Sequence, residues 1–278
     1  MFDPLFDQAA GLRGVGLPSG VRLVPVSLTR DAAVAYEACW VLANALSAHG
    51  YAVVVLDATA RERAHAPGLS QWLQTGDRVA IPQTRQGGQS LAATAQAPVS
   101  WPTVPSQSGL NSLLHQAAER GVGAALTRLA GVFALGTVVL VMAPKEWLSV
   151  LFEETGAQPL VPLVLHPAGV VDAYSAAKVL SQAAALSPVL VPVAHMPFGE
   201  VEQRSLSALL ETCRKHLGGV PECWPLDDTV DAASTGSAGA WVLRIIGSAL
   251  VVADDAAPAS GWSISTPHEA LVPQLWSC

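Results

Sequence analysis

VRLVPVSLTRDAAVAYEACWVLANALSAHGYAVVVLD, residues 21–57, carries the pattern from which the fold follows. VRLVPVS, residues 21–27, is a short apolar run that predicts a buried strand. Residues 28–34 predict a loop and residues 35–49 an apolar-faced helix with Gly50 as its C-cap. AVVVL, residues 52–56, predicts a second strand ending at Asp57. Strand, helix and strand in this order describe one βαβ unit of a parallel sheet.

The same alternation continues along the chain. A helical apolar spacing over 110–129 precedes GTVVLVM at 136–142, a run of the kind found in strands buried on both faces. Helix 145–156, strand 160–166, helix 171–186, strand 187–195 and helix 201–217 follow. The predicted fold class is therefore α/β, a doubly wound, mostly parallel sheet with helices on both faces. Residues 59–75 predict a loop and helix, 76–81 a strand-like edge element, and 83–109, rich in Gln, Ser, Thr, Gly and Pro, a flexible insertion. AWVLRIIGSALVVAD, from residue 240, predicts paired strands around Gly247 and Ser248. The expected organisation is an extension over 1–20, an α/β domain over 21–235, and a strand-rich extension of that domain over 236–278.

Composition narrows the function. Half of the 278 residues are hydrophobic (51%), enough for a sizeable core, and only 13% are charged. A net charge of −7 and no long basic cluster argue against a nucleic-acid partner, since Arg214, Lys215 and His216 fall where a helix end favours cations. The start, MFDPLFDQ, is acidic and lacks a signal peptide's basic and apolar regions, so a cytoplasmic location is expected. Apolar runs are broken before the ~20 residues of a membrane span. Cys39, Cys213, Cys223 and Cys278 show no metal-binding or disulfide spacing, and no histidine stands in a ligand or nucleophile pattern. Neither a metal site nor a disulfide framework is expected.

A phosphate-binding loop of the P-loop kind needs glycines so that successive backbone N–H groups can wrap the phosphates, with a lysine and a Ser/Thr hydroxyl beside them. The loop here, LTRDAAV, has no glycine. Four passages nevertheless resemble the MinD/ParA class of deviant Walker ATPases, and within it the flagellar-number regulator family FlhG (FleN). FDQAAGLR, residues 6–13, resembles the DQAxxLR segment with which that family stimulates the GTPase FlhF. ANALSAHGYAVVVLDA is similar to the family's first helix and second strand, and HPAGVVDAYSAAKVL resembles its DAYALIKVL run. LSALLETCRKHLG, together with the stretch from Pro225 to Ser234, is similar to its last helix and proline-aspartate loop.

On this resemblance Arg30 stands in place of the family's signature lysine, Ala35 in place of its phosphate-binding lysine, and Tyr36 in place of its magnesium-ligating hydroxyl residue. Asp57 matches the first acid of the DxD-type motif, Thr59 replaces the second, and Met142 replaces the Walker B aspartate. The resemblance implies a degenerate site with no catalytic residue and no cofactor, and a nucleotide-independent regulator. Its partner-binding positions would be Asp7, Gln8, Leu12 and Arg13, with Phe2, Leu5 and Phe6 as apolar anchors, and its partner an FlhF-like, SRP-type GTPase. The alternative is a P-loop-like enzyme or ligand-binding protein that binds a nucleotide or other phosphorylated ligand through a remodelled site near Arg30 and Asp57. Either a monomer or a homodimer is compatible, and the family's basic amphipathic C-terminal helix is not apparent, so membrane association is expected to be absent or indirect.

Overall fold

The computed structural model describes residues 20–63, 68–76, 78, 101–194, 198–227 and 237–253. In chain order the elements are β1 (Gly20–Leu28), α1 (Ala32–Ala48), β2 (Val53–Asp57), α2 (Leu69–Thr75), β3 (Thr103–Pro105), α3 (Gln107–Arg120) and α4 (Val122–Gly131). They continue with β4 (Val138–Pro144), α5 (Lys145–Leu151), β5 (Leu160–Leu163), α6 (Pro167–Ala184), β6 (Val189–Ala194) and α7 (Glu200–Leu217). The last are β7 (Glu222–Cys223), β8 (Leu226–Asp227), α8 (Ser237–Ser248) and β9 (Leu250–Ala253).

The strands form one sheet in the order β3-β2-β4-β1-β5-β6-β7, with β8 on β6 and β9 on β1. Every pairing is parallel except β9 on β1. Successive side chains in a strand point to opposite faces, and both faces are buried here. Leu23, Val54, Leu56, Val139, Val141 and Leu190 face one core, against helices α2 to α7. Val24, Val26, Val55, Leu140, Met142 and Val191 face the other, against α1 and α8. That two-sided burial is why the strands read as nearly continuous apolar runs. The doubly wound α/β class expected from the sequence is the one observed.

Several expectations about individual elements are corrected. The predicted loop over 28–34 is shorter: α1 begins at Ala32, capped by Asp31, whose carboxylate accepts from the Ala33 N–H at 3.1 Å. The single helix expected over 110–129 is two, α3 and α4, divided at Gly121, whose φ of +88° a side chain rarely adopts. The paired strands expected from residue 240 are instead helix α8 followed by the single strand β9. Apolar, β-branched residues suggest strands, but Trp241, Val242 and Ile245 are buried while Leu243 and Arg244 are exposed, which is a helical stripe. Trp241 meets Trp224 edge to face at 5.8 Å, and Arg244 lies 5.9 Å from the Trp224 ring, so this helix, packed on α1 and β1, closes the core beside Trp224. β9 then lines Gly20–Leu23 along the edge of β1 that β5 leaves free, β5 meeting β1 only at Val26.

The edge of the sheet is β3, pairing with Val55, Leu56 and Asp57 of β2, within the stretch expected to be a flexible insertion. Residues 83–100 of that insertion lie outside the described residues, as does most of the edge element expected over 76–81. The Glu62 carboxylate pins the preceding loop: its Oε1 accepts from the N–H groups of Ser70 at 3.0 Å and Gly109 at 3.1 Å, at the starts of α2 and α3. No helix among the described residues is long and apolar enough to cross a membrane.

Candidate functional site

β1, β2 and β4 end together, because the register pairs Val26 and Asp57 with Met142, and Leu28 with Pro144. In an open parallel sheet this carboxyl edge is where ligands are bound. Helix α1 covers it on one face, and the first turns of α5 and α6 approach it on the other.

Tyr36, Asp57 and Thr59 are brought together here. The Tyr36 hydroxyl donates to Asp57 Oδ2 at 2.5 Å, while Thr59 donates to Asp57 Oδ1 from Oγ1 at 2.7 Å and from its N–H at 2.8 Å. The two hydroxyl oxygens are themselves 2.6 Å apart. Two hydroxyl protons therefore serve three oxygen contacts, and both oxygens of a carboxylate that is only 5% exposed are occupied from within the chain. Burial, and then the bond to Asp57, push the Tyr36 phenol above its ordinary range. Cys39, one turn further along α1, is pushed up to about 12 by burial and by the nearby Asp57 charge.

A second cluster lies across the loop. Asp172, on α6, accepts from the Arg30 N–H at 2.5 Å through Oδ2, and its Oδ1 stands 3.8 Å from Lys145 Nζ. Lys145, the first residue of α5, also donates to Ser175 Oγ at 2.9 Å. Its side chain is only 18% exposed and that of Asp172 only 12%. Asp172 thus ties together the loop after β1, the junction after β4 and α6. At the start of α6, His166 Nδ1 accepts from the Gly169 N–H at 3.1 Å, acting as the helix cap. Between the loop, the β4–α5 junction and α6 lies an open cleft of about 700 Å³, lined by Leu28, Arg30, Pro144, Lys145, Pro167 and Val171 among others.

The residues singled out in the sequence fall as follows. Ala35 is fully buried inside α1's first turn. Tyr36, Asp57 and Thr59 form the closed cluster, and Met142 is fully buried in β4 beside Asp57. Arg30 is exposed, at the rim of the cleft. Asp7, Gln8, Leu12 and Arg13 lie outside the described residues. Sequence reasoning misses Asp31, Asp172 and Lys145. Asp31 is detectable, because an aspartate directly before an apolar helical period is a capping signal. The pairing of Asp172 with Arg30 and Lys145 joins residues far apart in the chain and leaves no local signal. Among the described residues no group of His, Cys, Asp and Glu could hold a metal ion.

An alkaline stability slope follows from the Cys39 thiol. Its folded pKa lies above the unfolded value of 9.0, so the unfolded chain releases its proton first and stability falls as pH rises from 9 towards 12. The loss for this group is at most about 1.4 kcal/mol per pH unit. Cys213, Cys223 and Tyr36 are pushed in the same direction. Urea unfolding between pH 8 and 11 under reducing conditions should therefore show a shallower decline in Cys39→Ala than in the parent chain.

No protein-family model matches the chain, and neither does any curated protein. Among solved structures it is similar to an ATP complex of McdA from Cyanothece, at 14% identity and a TM-score of 0.48, over 84% of this chain and 98% of that one. It is also similar to cobyrinic acid a,c-diamide synthase from Mycobacterium smegmatis, at 14% identity and a TM-score of 0.48, over 81% of this chain and 92% of that one. A putative plasmid partition protein from Borrelia burgdorferi bound to AMPPNP matches at 11% identity and a TM-score of 0.46, over 82% of this chain and 98% of that one. The fold assignment rests on the chain's own sheet and helices.

Proposed function

We propose that this chain is a nucleotide-independent pseudo-ATPase that works as a regulatory interaction protein, in flagellar number control through an FlhF-like GTPase. The observation that carries the first half is that the chain's own carboxylates take the backbone donors a phosphate would need. Asp172 holds the Arg30 N–H and Asp31 holds the Ala33 N–H. Only Thr29, Arg30 and Asp31 separate β1 from α1, too few residues to wrap a phosphate chain with successive N–H groups. Ala35 is fully buried, so the position aligned with the phosphate-binding lysine faces the core. The Tyr36 phenol stands on Asp57, where a magnesium ion with its waters would need room. These residues do not fit a magnesium nucleotide.

The second half rests on the sequence FDQAAGLR and its resemblance to the GTPase-stimulating segment described above. An apolar and polar peptide of that kind can enter a partner's groove without nucleotide chemistry. Two experiments test the two halves separately. Calorimetric titration with ATP and ADP, each with magnesium and up to millimolar concentration, should show no binding; a Kd below about 100 μM, roughly 5.5 kcal/mol, would overturn the erased site. Replacing Gln8 and Arg13 by alanine should abolish stimulation of the partner's GTP hydrolysis, and unchanged stimulation would sink the partner assignment.

A second reading, a phosphorylated ligand held near Arg30, is favoured by the cleft of about 700 Å³ beside that residue. A ligand that binds only the native state raises the melting temperature, so a rise with millimolar inorganic phosphate or AMP is the result this reading requires.

A further inference from the structure

The cleft at the carboxyl edge has a chemical character that a segment of the same chain matches. Part of its wall is apolar, from Leu28, Pro144, Pro167 and Val171, and Lys145, Glu146, Asp172 and Ser175 line the rest. Val171 is 68% exposed, so this wall lacks a cover among the described residues. Lys145 is neutralised by Asp172 at 3.8 Å and Glu146 at 4.0 Å, whereas the exposed Arg30 guanidinium stands at the rim. The complement is a short peptide with large apolar side chains and an acid next to them.

FDPLFD, residues 2–7, has that composition: Phe2, Leu5 and Phe6 with Asp3 and Asp7. Its tether is long enough. β1 runs from Gly20 to Leu28, and the cleft lies at its far end, about 26 Å away at ~3.3 Å per residue. The connecting residues 8–19 span up to roughly 40 Å when extended. A volume of about 700 Å³ accommodates several large side chains.

We propose that residues 2–7 dock into this cleft of their own chain, with Phe2, Leu5 and Phe6 against Leu28, Pro144, Pro167 and Val171 and an acid of the segment opposite Arg30. The inference rests on the reading of residues 7–13 as partner-binding. The docked state withholds that segment, and a partner must displace it, so the cleft acts as an autoinhibitory seat.

Hydroxyl-radical footprinting of the full chain, with no GTPase present, tests this through side-chain accessibility. Val171 and Pro167 should be oxidised at least threefold more slowly in the parent chain than in the double variant Leu5→Asp, Phe6→Asp. Conversely, Val171→Asp should raise oxidation of Phe2 and Phe6 by a similar factor. Val171 is exposed, so its substitution should leave the far-ultraviolet circular dichroism spectrum unchanged and keep the test separate from unfolding. Gln8→Ala, which the partner assignment needs and the docking does not, should leave the Val171 rate at the parent value. Equal Val171 rates in the parent and the Leu5→Asp, Phe6→Asp variant would overturn the proposal. So would protection that rises with protein concentration, which would mean that another copy supplies the segment. Loss of GTPase stimulation in Gln8→Ala bears on the partner assignment alone, so the two readings fail independently.

Discussion

Met142→Asp, which writes back the acid that the Walker B strand of the resembling family has at this position, is expected to destabilise the fold by about 3–5 kcal/mol. Met142 is fully buried in β4, on the sheet face covered by α1. Its register partners are Val26 and Asp57. A carboxylate there would be desolvated, would face no cation, and would stand next to the Asp57 carboxyl group, so three unfavourable effects have the same sign. Burial raises the folded pKa of the new acid above its unfolded value of ~3.9. The electrostatic part of the penalty is therefore absent below about pH 3.9 and grows as pH rises towards the folded pKa, above which it levels off. Urea unfolding at pH 5 and pH 8 should show the larger loss at pH 8. Met142→Leu, similar in volume, should cost less than about 1.5 kcal/mol, which separates charge from packing. An aspartate tolerated at pH 8 without loss would mean that water or a cation reaches this position, and the erased-site reading would need revision.

Asp57→Ala is expected to cost about 2–3 kcal/mol. The substitution removes the acceptor for the Tyr36 hydroxyl, the Thr59 hydroxyl and the Thr59 N–H at once. Bonds to a charged acceptor are worth roughly 1.5–3 kcal/mol each, but both hydroxyls lie near the surface and regain water, so the losses do not add. Tyr36→Phe should cost about 1–2 kcal/mol, by leaving one carboxylate oxygen without its donor. In a double-mutant cycle the two changes should be strongly coupled, since they remove the same bond. Additive costs would show that the Tyr36–Asp57 contact contributes nothing, and that Asp57 is held by Thr59 alone.

These residues also show where sequence reasoning stops. Asp57 is legible at the end of the second strand, because AVVVL followed by an acid is a local pattern, and Met142 is legible in a buried strand for the same reason. That Tyr36 reaches Asp57 depends on where α1 starts. The helix begins at Ala32 rather than Ala35, which puts Ala35 into the core and swings Tyr36 over the strand end. Reading LTRDAAV as one loop misses that start, although Asp31 carries a capping signal. α8 escapes for a different reason. A run such as AWVLRII is apolar enough for either strand or helix, and only the companions Trp224 and α1 select the helix.

The α/β class, the doubly wound order of elements and the apolarity of the central strands all follow from the sequence, because periodicity and β-branched runs are local properties of the chain. The absence of glycine from the loop after β1, and of lysine from the position aligned with the phosphate-binding one, is equally plain there. Packing alone settles that Asp172 of α6 takes the Arg30 N–H and holds Lys145, that β9 pairs antiparallel with β1, and that a cleft with one apolar wall lies beside Arg30. The Arg30–Asp172 and β1–β9 contacts join residues more than a hundred positions apart, and such pairings are set by how the layers stack, which no local pattern encodes.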